Sequence, residues 1–443
     1  MRPSRLTLVL LVTIVAVYVV IGVLYARFTP IWQVPDEPAH FNYVRALAEG
    51  RDFPVMEPGD YDQEYLALLT SQGFPPELSV GAVAYEDHQP PLYYLLATPV
   101  YWLFGDAADP LGAVLPLRLL SVLLGTALLV VVFGTVRAIF PARPAVALSA
   151  TAFVAFIPQH VAMTAGVNND TLAELVVGGT LWALVVYLRG GMRRPWPAGL
   201  LVAAALLTKG SIYIVVPLAV VAVVIRWRQE RQTWRWAMGQ LAWLLVPALL
   251  LSGPWFVRNG LTYGWHDPTG QARHDQVVEG QMRPLDYVAL EGWAGYWERA
   301  YTFTFQSFWG QFGWMAVVLP ARIYRGLALL SVLLVAGFLW WLFDRHQSGL
   351  ARDQRASLVL LLVSGVLTAL MFAWYNTKFL QHQGRYLFPA LISIGTAAAL
   401  GLGRLAKVLP QRTRPWAMAA LFAGMAALDV YCLFEFIIPF LAR

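Results

Sequence analysis

The run LTLVLLVTIVAVYVVIGVLY, residues 6–25, decides the fold. It carries no Asp, Glu, Lys or Arg, and at 1.5 Å rise per residue it reaches about 30 Å, the thickness of a bilayer's hydrocarbon core. Arg2 and Arg5 precede it in the manner of a secretory signal, but the stretch is long and no small-residue cleavage site follows. The expectation is an uncleaved first membrane helix.

Ten further apolar runs follow, at about residues 115–136, 146–163, 172–188, 197–208, 212–225, 237–256, 323–343, 357–374, 386–402 and 416–439. The composition agrees with them. With 58% hydrophobic and 13% charged residues and a mean hydropathy of +0.56, the chain has too little polar surface for a water-soluble globule of this size. The expected fold class is an all-α polytopic membrane protein of about eleven spans. No linker or low-complexity stretch divides it, so residues 1–443 read as a single domain.

The formal net charge of +6 does not point to nucleic acid, because the arginines sit in short clusters between apolar runs. These are Arg137 with Arg143, Arg189 with Arg193 and Arg194, Arg226 to Arg235, Arg345 with Arg352 and Arg355, and Arg404 to Arg414. They recur between every second pair of runs, as the positive-inside rule requires. The reading is a multi-pass protein of a plasma membrane, N-terminus cytoplasmic and C-terminus extracytoplasmic. Residues 92–104 would break this parity as a span and are short for one, so they read as a half-embedded surface helix. The short run 197–208 and its neighbour suggest a tight hairpin between other helices. Two long loops, 26–91 and 257–320, then lie outside. The one cysteine, Cys432, falls within the last run, which excludes an internal disulfide and a cysteine metal cluster.

On this topology the unusual polar residues gather at one face. The first loop holds Pro35-Asp36-Glu37-Pro38-Ala39-His40-Phe41, an acidic pair between prolines ahead of a helical spacing, and later Glu86-Asp87-His88-Gln89-Pro90-Pro91-Leu92. Asn168-Asn169-Asp170-Thr171 opens the run at 172, where Asp170 is suited to cap a helix. Lys209, Arg258, Lys378 and Arg385 are cations at span ends on the side where few are expected. Such charges suit an anionic partner, and arginine's planar fork suits phosphate. They also suit plain snorkelling toward headgroups. The aromatic-rich second loop, with Trp293, Tyr296, Trp297, Tyr301 and Phe308-Trp309-Gly310-Gln311-Phe312-Gly313-Trp314, reads first as an interfacial belt.

Taken in order, these motifs resemble the GT-C membrane glycosyltransferases, the superfamily of protein O-mannosyltransferases and aminoarabinose transferases. Pro-Asp-Glu-Pro-Ala-His-Phe, Phe-Trp-Gly-Gln-Phe-Gly-Trp and Gln-Gly-Arg-Tyr-Leu-Phe-Pro are similar to a bacterial family of predicted membrane proteins grouped there without an assigned substrate. The resemblance implies transfer of a sugar from a polyprenyl-phosphate carrier to an acceptor hydroxyl, with inversion, on the extracytoplasmic side. It implies Asp36 as general base and Glu37 as a group orienting Asp36 or the acceptor. Lys209, Arg258 and Arg385 would hold the departing phosphate, with His40, His88 and Asp170 in support. The acceptor, whether glycan, lipid or protein, stays open.

A carboxylate of ordinary pKa can accept a proton at neutral pH, and phosphate leaves readily when cations face it. No cofactor is therefore required, although Asp36, Glu37, His40 and His88 are competent ligands for a divalent ion. Two rival functions fit the residues. One is a transporter, to which Asp429, deep in the last run, is best suited. The other is a non-catalytic lipid-binding assembly subunit.

Overall fold

A computed structural model describes residues 3–105, 109–344 and 349–442; Arg2 and Arg345 of the basic clusters lie outside these. The chain is almost wholly helical. Helix α1 (Arg5–Phe28) is capped by the Ser4 hydroxyl, which accepts from the Thr7 amide at 3.2 Å. The first loop contributes α2 (Glu37–Ala48), α3 (Gln63–Ser71) and α4 (Leu92–Phe104). Then come α5 (Val114–Ile139), α6 (Pro144–Ala155), α7 (Pro158–Thr164), α8 (Asp170–Leu188), α9 (Trp196–Leu206), α10 (Val215–Gln229) and α11 (Trp234–Tyr263). The second loop holds α12 (Gln271–Val277), α13 (Pro284–Trp309) and a two-stranded antiparallel ribbon, β1 (Gln311–Phe312) paired with β2 (Val317–Val318). Helices α14 (Ala321–Phe343), α15 (Arg352–Tyr375), α16 (Leu391–Leu405), α17 (Arg414–Cys432) and α18 (Ile438–Leu441) complete the bundle.

Among the described residues, nine helices are long and apolar enough to cross a bilayer. The run at 146–163 is not one straight helix: α6 and α7 meet at a bend of 69°. Pro158 explains the break, since it lacks an N–H and drives Ile157 out of the helical region, to φ −93° and ψ 114°. The run at 197–208 forms α9, whose 11 residues extend only about 16 Å, half a bilayer. It turns at Thr208 and Lys209 into α10, as a hairpin against α8 and α11. All eleven expected runs are helical, one of them broken and one short.

The second loop departs further from the reading of residues 257–320 as a loop. Helix α13 has 26 residues, with Pro284 in its first turn and an interruption at Gly292 (φ 69°, ψ 173°). Asp286, Glu291, Glu298 and Arg299 lower its hydropathy and hide it from an apolar count.

The two ends of the bundle differ in chemistry. At one end Arg189 pairs with Asp353 at 3.1 Å, and Gln354 donates to the Ile139 carbonyl at 2.9 Å, tying α5, α8 and α15 together. At the other end the first loop, the start of α8, the α9–α10 turn and the approach to α16 converge on a cleft. Helices α14 and α16 cross with backbones in contact, since a Cβ at Gly401 would stand 2.5 Å from the Leu334 carbonyl and one at Gly337 2.6 Å from that of Gly401. Small residues at such a crossing let dispersion and backbone contact hold the helices together without a hydrophobic driving force.

Candidate active site

The cleft encloses about 820 Å³, a volume suited to a small ligand or a lipid headgroup. Its lining combines the polar Asp36, Tyr85, Glu86, Lys209 and Arg385 with the apolar or aromatic Phe303, Met371, Phe372 and Tyr375.

Asp36 enters it from a constrained backbone. Its φ of 67° places it in the left-handed region, tolerated by aspartate better than by most side chains. The next residue holds that conformation. Glu37 is fully buried and turned away from the cleft. Its carboxylate accepts from Arg118 Nε at 2.7 Å and Nη2 at 2.6 Å, from the Trp32 amide at 3.0 Å and from the Val167 amide at 3.1 Å. The remaining Arg118 donors reach the carbonyls of Ala26, Thr29 and Pro30. Of the acidic pair, then, only Asp36 faces the cleft; Glu37 is the anchor of its turn. Arg118 was not foreseen, although an arginine inside an apolar run is itself a signal.

Asp36 begins a chain of alternating charges. Its Oδ1 accepts from the Tyr85 hydroxyl at 2.8 Å, and its Oδ2 from Arg385 Nη2 at 2.6 Å. Arg385 Nη1 stands 3.8 Å from Asp170 Oδ2, and Asp170 Oδ1 accepts from Lys209 Nζ at 2.5 Å. Arg385 Nε donates to Gln383 Oε1 at 2.7 Å. Asp170 does not cap α8; the Asn168 side-chain oxygen does, accepting from the Asp170 and Thr171 amides at 3.1 and 3.3 Å. That leaves the Asp170 carboxylate free for Lys209.

The charges set the protonation. Burial alone would raise the Asp36 carboxyl, but the Arg385 guanidinium and the Tyr85 hydroxyl outweigh it and bring it down to about 2. Burial favours a neutral Lys209, yet the Asp170 carboxylate keeps its ammonium form above the usual range. Glu86 goes the other way. Burial pushes it up to about 8, Lys209 pulls back, and the charge of Asp36 adds to the rise. Its Oε2 is buried without a hydrogen-bond partner, so a protonated Glu86 shares the cleft with the carboxylates of Asp36 and Asp170.

The histidines are supports. His40 Nδ1 lies 2.9 Å from the Tyr94 hydroxyl, and burial, with Lys209 adding, lowers it to about 3, so the ring is neutral. His88 Nδ1 lies 3.2 Å from the Tyr85 carbonyl; a carbonyl only accepts, so Nδ1 carries the proton and steadies the residue whose hydroxyl reaches Asp36. Arg258 does not line the cleft. It donates to the carbonyls of Phe53 at 2.8 Å and Pro54 at 2.7 Å and lies over Trp255 at 5.0 Å, strapping the first loop to α11. Lys378 is half exposed, 4.0 Å from Asp275. Asp36, Glu37, His40 and His88 do not converge as a ligand set, and among the described residues no three His, Cys, Asp or Glu side chains do.

Sequence reasoning assigned no role to Tyr85, Glu86, Gln383 or Arg118, although Glu86 and Gln383 lie within the quoted motifs and Tyr85 adjoins one.

No curated protein matches the chain. Among solved structures, ArnT from Cupriavidus metallidurans bound to undecaprenyl phosphate is similar with a TM-score of 0.51 and 17% identity, over 97% of this chain and 73% of that one. The apo oligosaccharyltransferase of Archaeoglobus fulgidus is similar with a TM-score of 0.51 and 11% identity, over 97% of this chain and 55% of its own, so the chain spans little more than half of that enzyme. The fold is therefore GT-C-like, a multi-pass membrane architecture. Residues 77–394, from the His88 stretch through Arg385 into α16, match the family described as "Predicted membrane protein (DUF2142)", and the chain belongs to that family.

Proposed function

We propose that the chain is a membrane glycosyltransferase that moves a sugar from a polyprenyl-phosphate carrier to an acceptor hydroxyl on the extracytoplasmic side of a plasma membrane. The observation that carries this reading is the run Asp36–Arg385–Asp170–Lys209 inside one cleft. It sets a carboxylate base beside two cations able to receive a phosphate. That ArnT, a protein of similar fold, is seen with undecaprenyl phosphate supports the class of carrier.

In this mechanism the acceptor hydroxyl gives its proton to Asp36 as its oxygen bonds the anomeric carbon. The bond from that carbon to the phosphate oxygen breaks on the opposite face, and configuration inverts. Lys209 and Arg385 stabilise the negative charge that grows on the leaving phosphate. Before the donor arrives, Asp36 is a poor base, because Arg385 holds its carboxylate at about 2. A carrier phosphate competes for the same guanidinium, and its binding raises the basicity of Asp36 when the base is needed. Glu37 and Arg118 act by fixing the Asp36 turn, and Arg258 by holding the first loop in place.

A second reading is a carrier-binding subunit without chemistry, favoured by the same Asp36–Arg385 pairing. Transport is less favoured: the cleft lies at one end of the bundle, and Asp429, with both carboxyl oxygens buried and unpartnered, is not among its lining residues. The test is Asp36→Asn in purified protein with a panel of polyprenyl-phosphate sugars. The enzyme reading expects sugar release to fall by about 10²- to 10⁴-fold with carrier binding retained. Equal release by both proteins would overturn it.

A further inference from the structure

The cleft contains a third cation that the reaction above does not use. Arg299, on α13, lines the cavity. Arg385 and Lys209 each have a carboxylate within 2.6 Å, whereas Arg299 forms no ion pair or hydrogen bond with any described residue. Its Nε is buried and unpartnered. Only ring faces meet the guanidinium, Phe303 at 4.5 Å and Tyr287 at 5.6 Å. Partial burial destabilises the charged form of this group, and Tyr287 offsets only part of that.

His382 is close enough for the charge of Arg299 to bear on it. It is 2% exposed, and neither ring nitrogen has a partner. The ring stands edge-on to Tyr296, with centroids 4.9 Å apart. The local structure is otherwise well tied. The Thr304 hydroxyl donates to the His382 carbonyl at 3.2 Å, and the Gly384 amide donates to Ser307 Oγ at 2.7 Å. A Cβ at Gly384 would run into the Thr304 carbonyl and the Phe308 amide, so the segment carrying Arg385 lies directly on α13. Arg299 Nε and the His382 ring nitrogens thus have no hydrogen-bond partner in a closely packed seam, and a buried donor with no acceptor is costly.

We propose that Arg299 forms a second anion subsite in the α13 wall of the cleft, built for a phosphate-type oxygen that Lys209 and Arg385 do not hold. This rests on the reading of those two as the carrier-phosphate site. The anion is the second phosphate of a diphosphate-linked carrier or the anionic head of the acceptor. A guanidinium serves both, donating two parallel hydrogen bonds.

The experiment uses the full chain in nanodiscs and measures binding of undecaprenyl phosphate, undecaprenyl diphosphate and, on protein saturated with the monophosphate, inorganic phosphate. One charge-assisted contact predicts that the wild type prefers the diphosphate carrier by about tenfold. R299Q loses that preference while its monophosphate affinity stays within about twofold, and R299K, which keeps the charge but not the two-pronged fork, retains only part of it. That result assigns the subsite to the carrier. No carrier preference, with inorganic phosphate bound by the wild type and lost in R299Q, assigns it to the acceptor. If R299Q matches the wild type in both arms, or R299K and R299Q lose binding alike, Arg299 only packs and the inference is overturned. Failure of the wild type to bind the monophosphate, with phosphate binding still dependent on Arg299, would sink the carrier-site reading and leave this one standing.

Discussion

Glu86→Gln should make the unliganded protein more stable at neutral pH. An unfolded Glu86 ionises at its ordinary 4.5, but in the cleft burial and the neighbouring Asp36 push it up to about 8. Between those values folding must hold the carboxyl protonated. Because the folded value is the higher one, stability is full below about 4.5 and declines as pH rises toward 8. The loss is about 1.4 kcal/mol per pH unit, or roughly 3 kcal/mol at pH 7. Glutamine is neutral throughout and nearly isosteric, so the variant avoids this loss. Its advantage should be near zero at pH 4.5, reach as much as about 3 kcal/mol at pH 7 and level off above pH 8. Thermal and denaturant melts in detergent across that range would read it, as a rise of a few degrees at pH 7. Two proteins with the same pH dependence would show that Glu86 ionises freely, and would remove it from the buried wall of the cleft. If the gain appears and sugar transfer also falls, Glu86 is one of those groups kept for function at the expense of stability.

Arg118→Met should leave the Glu37 carboxylate buried without its countercharge, lowering stability by about 3–5 kcal/mol, and pairing it with Glu37→Leu should recover part of that loss; melting temperature and detergent-soluble yield measure both. Lys209→Gln should weaken undecaprenyl phosphate binding by about tenfold, the loss of one charge-assisted contact. Arg258→Gln should leave that affinity unchanged and instead expose the chain near Phe53 and Pro54 to limited proteolysis, because its guanidinium holds those two carbonyls.

How much of this is legible in the sequence depends on the range of the interaction. The spans are local properties of composition, and the basic clusters order them; Pro158 marked a break that an apolar count ran through. Helix α13 was hidden because Asp286, Glu291, Glu298 and Arg299 lower its hydropathy. Asp36 and Glu37 were given different roles only by the family resemblance, since neighbours at a helix start differ only in the direction they leave it. That direction is set by Arg118, 81 residues further on. Lys209, Asp170 and Arg385 were each suspected from position alone. Their mutual pairing, and the use of Arg258 as a strap, are long-range facts that spacing does not encode.

The crossing of α14 and α16 at Gly337 and Gly401 bears on how the cleft must work. Backbones in contact resist sliding, and α16 follows directly from the segment that presents Arg385, so this cation belongs to a fixed jaw. Its partner Asp36 rides on the first loop, tethered by Tyr85, the Glu37–Arg118 anchor and the Arg258 strap. Any parting of Asp36 from Arg385 therefore falls to the first loop and is opposed by those three tethers.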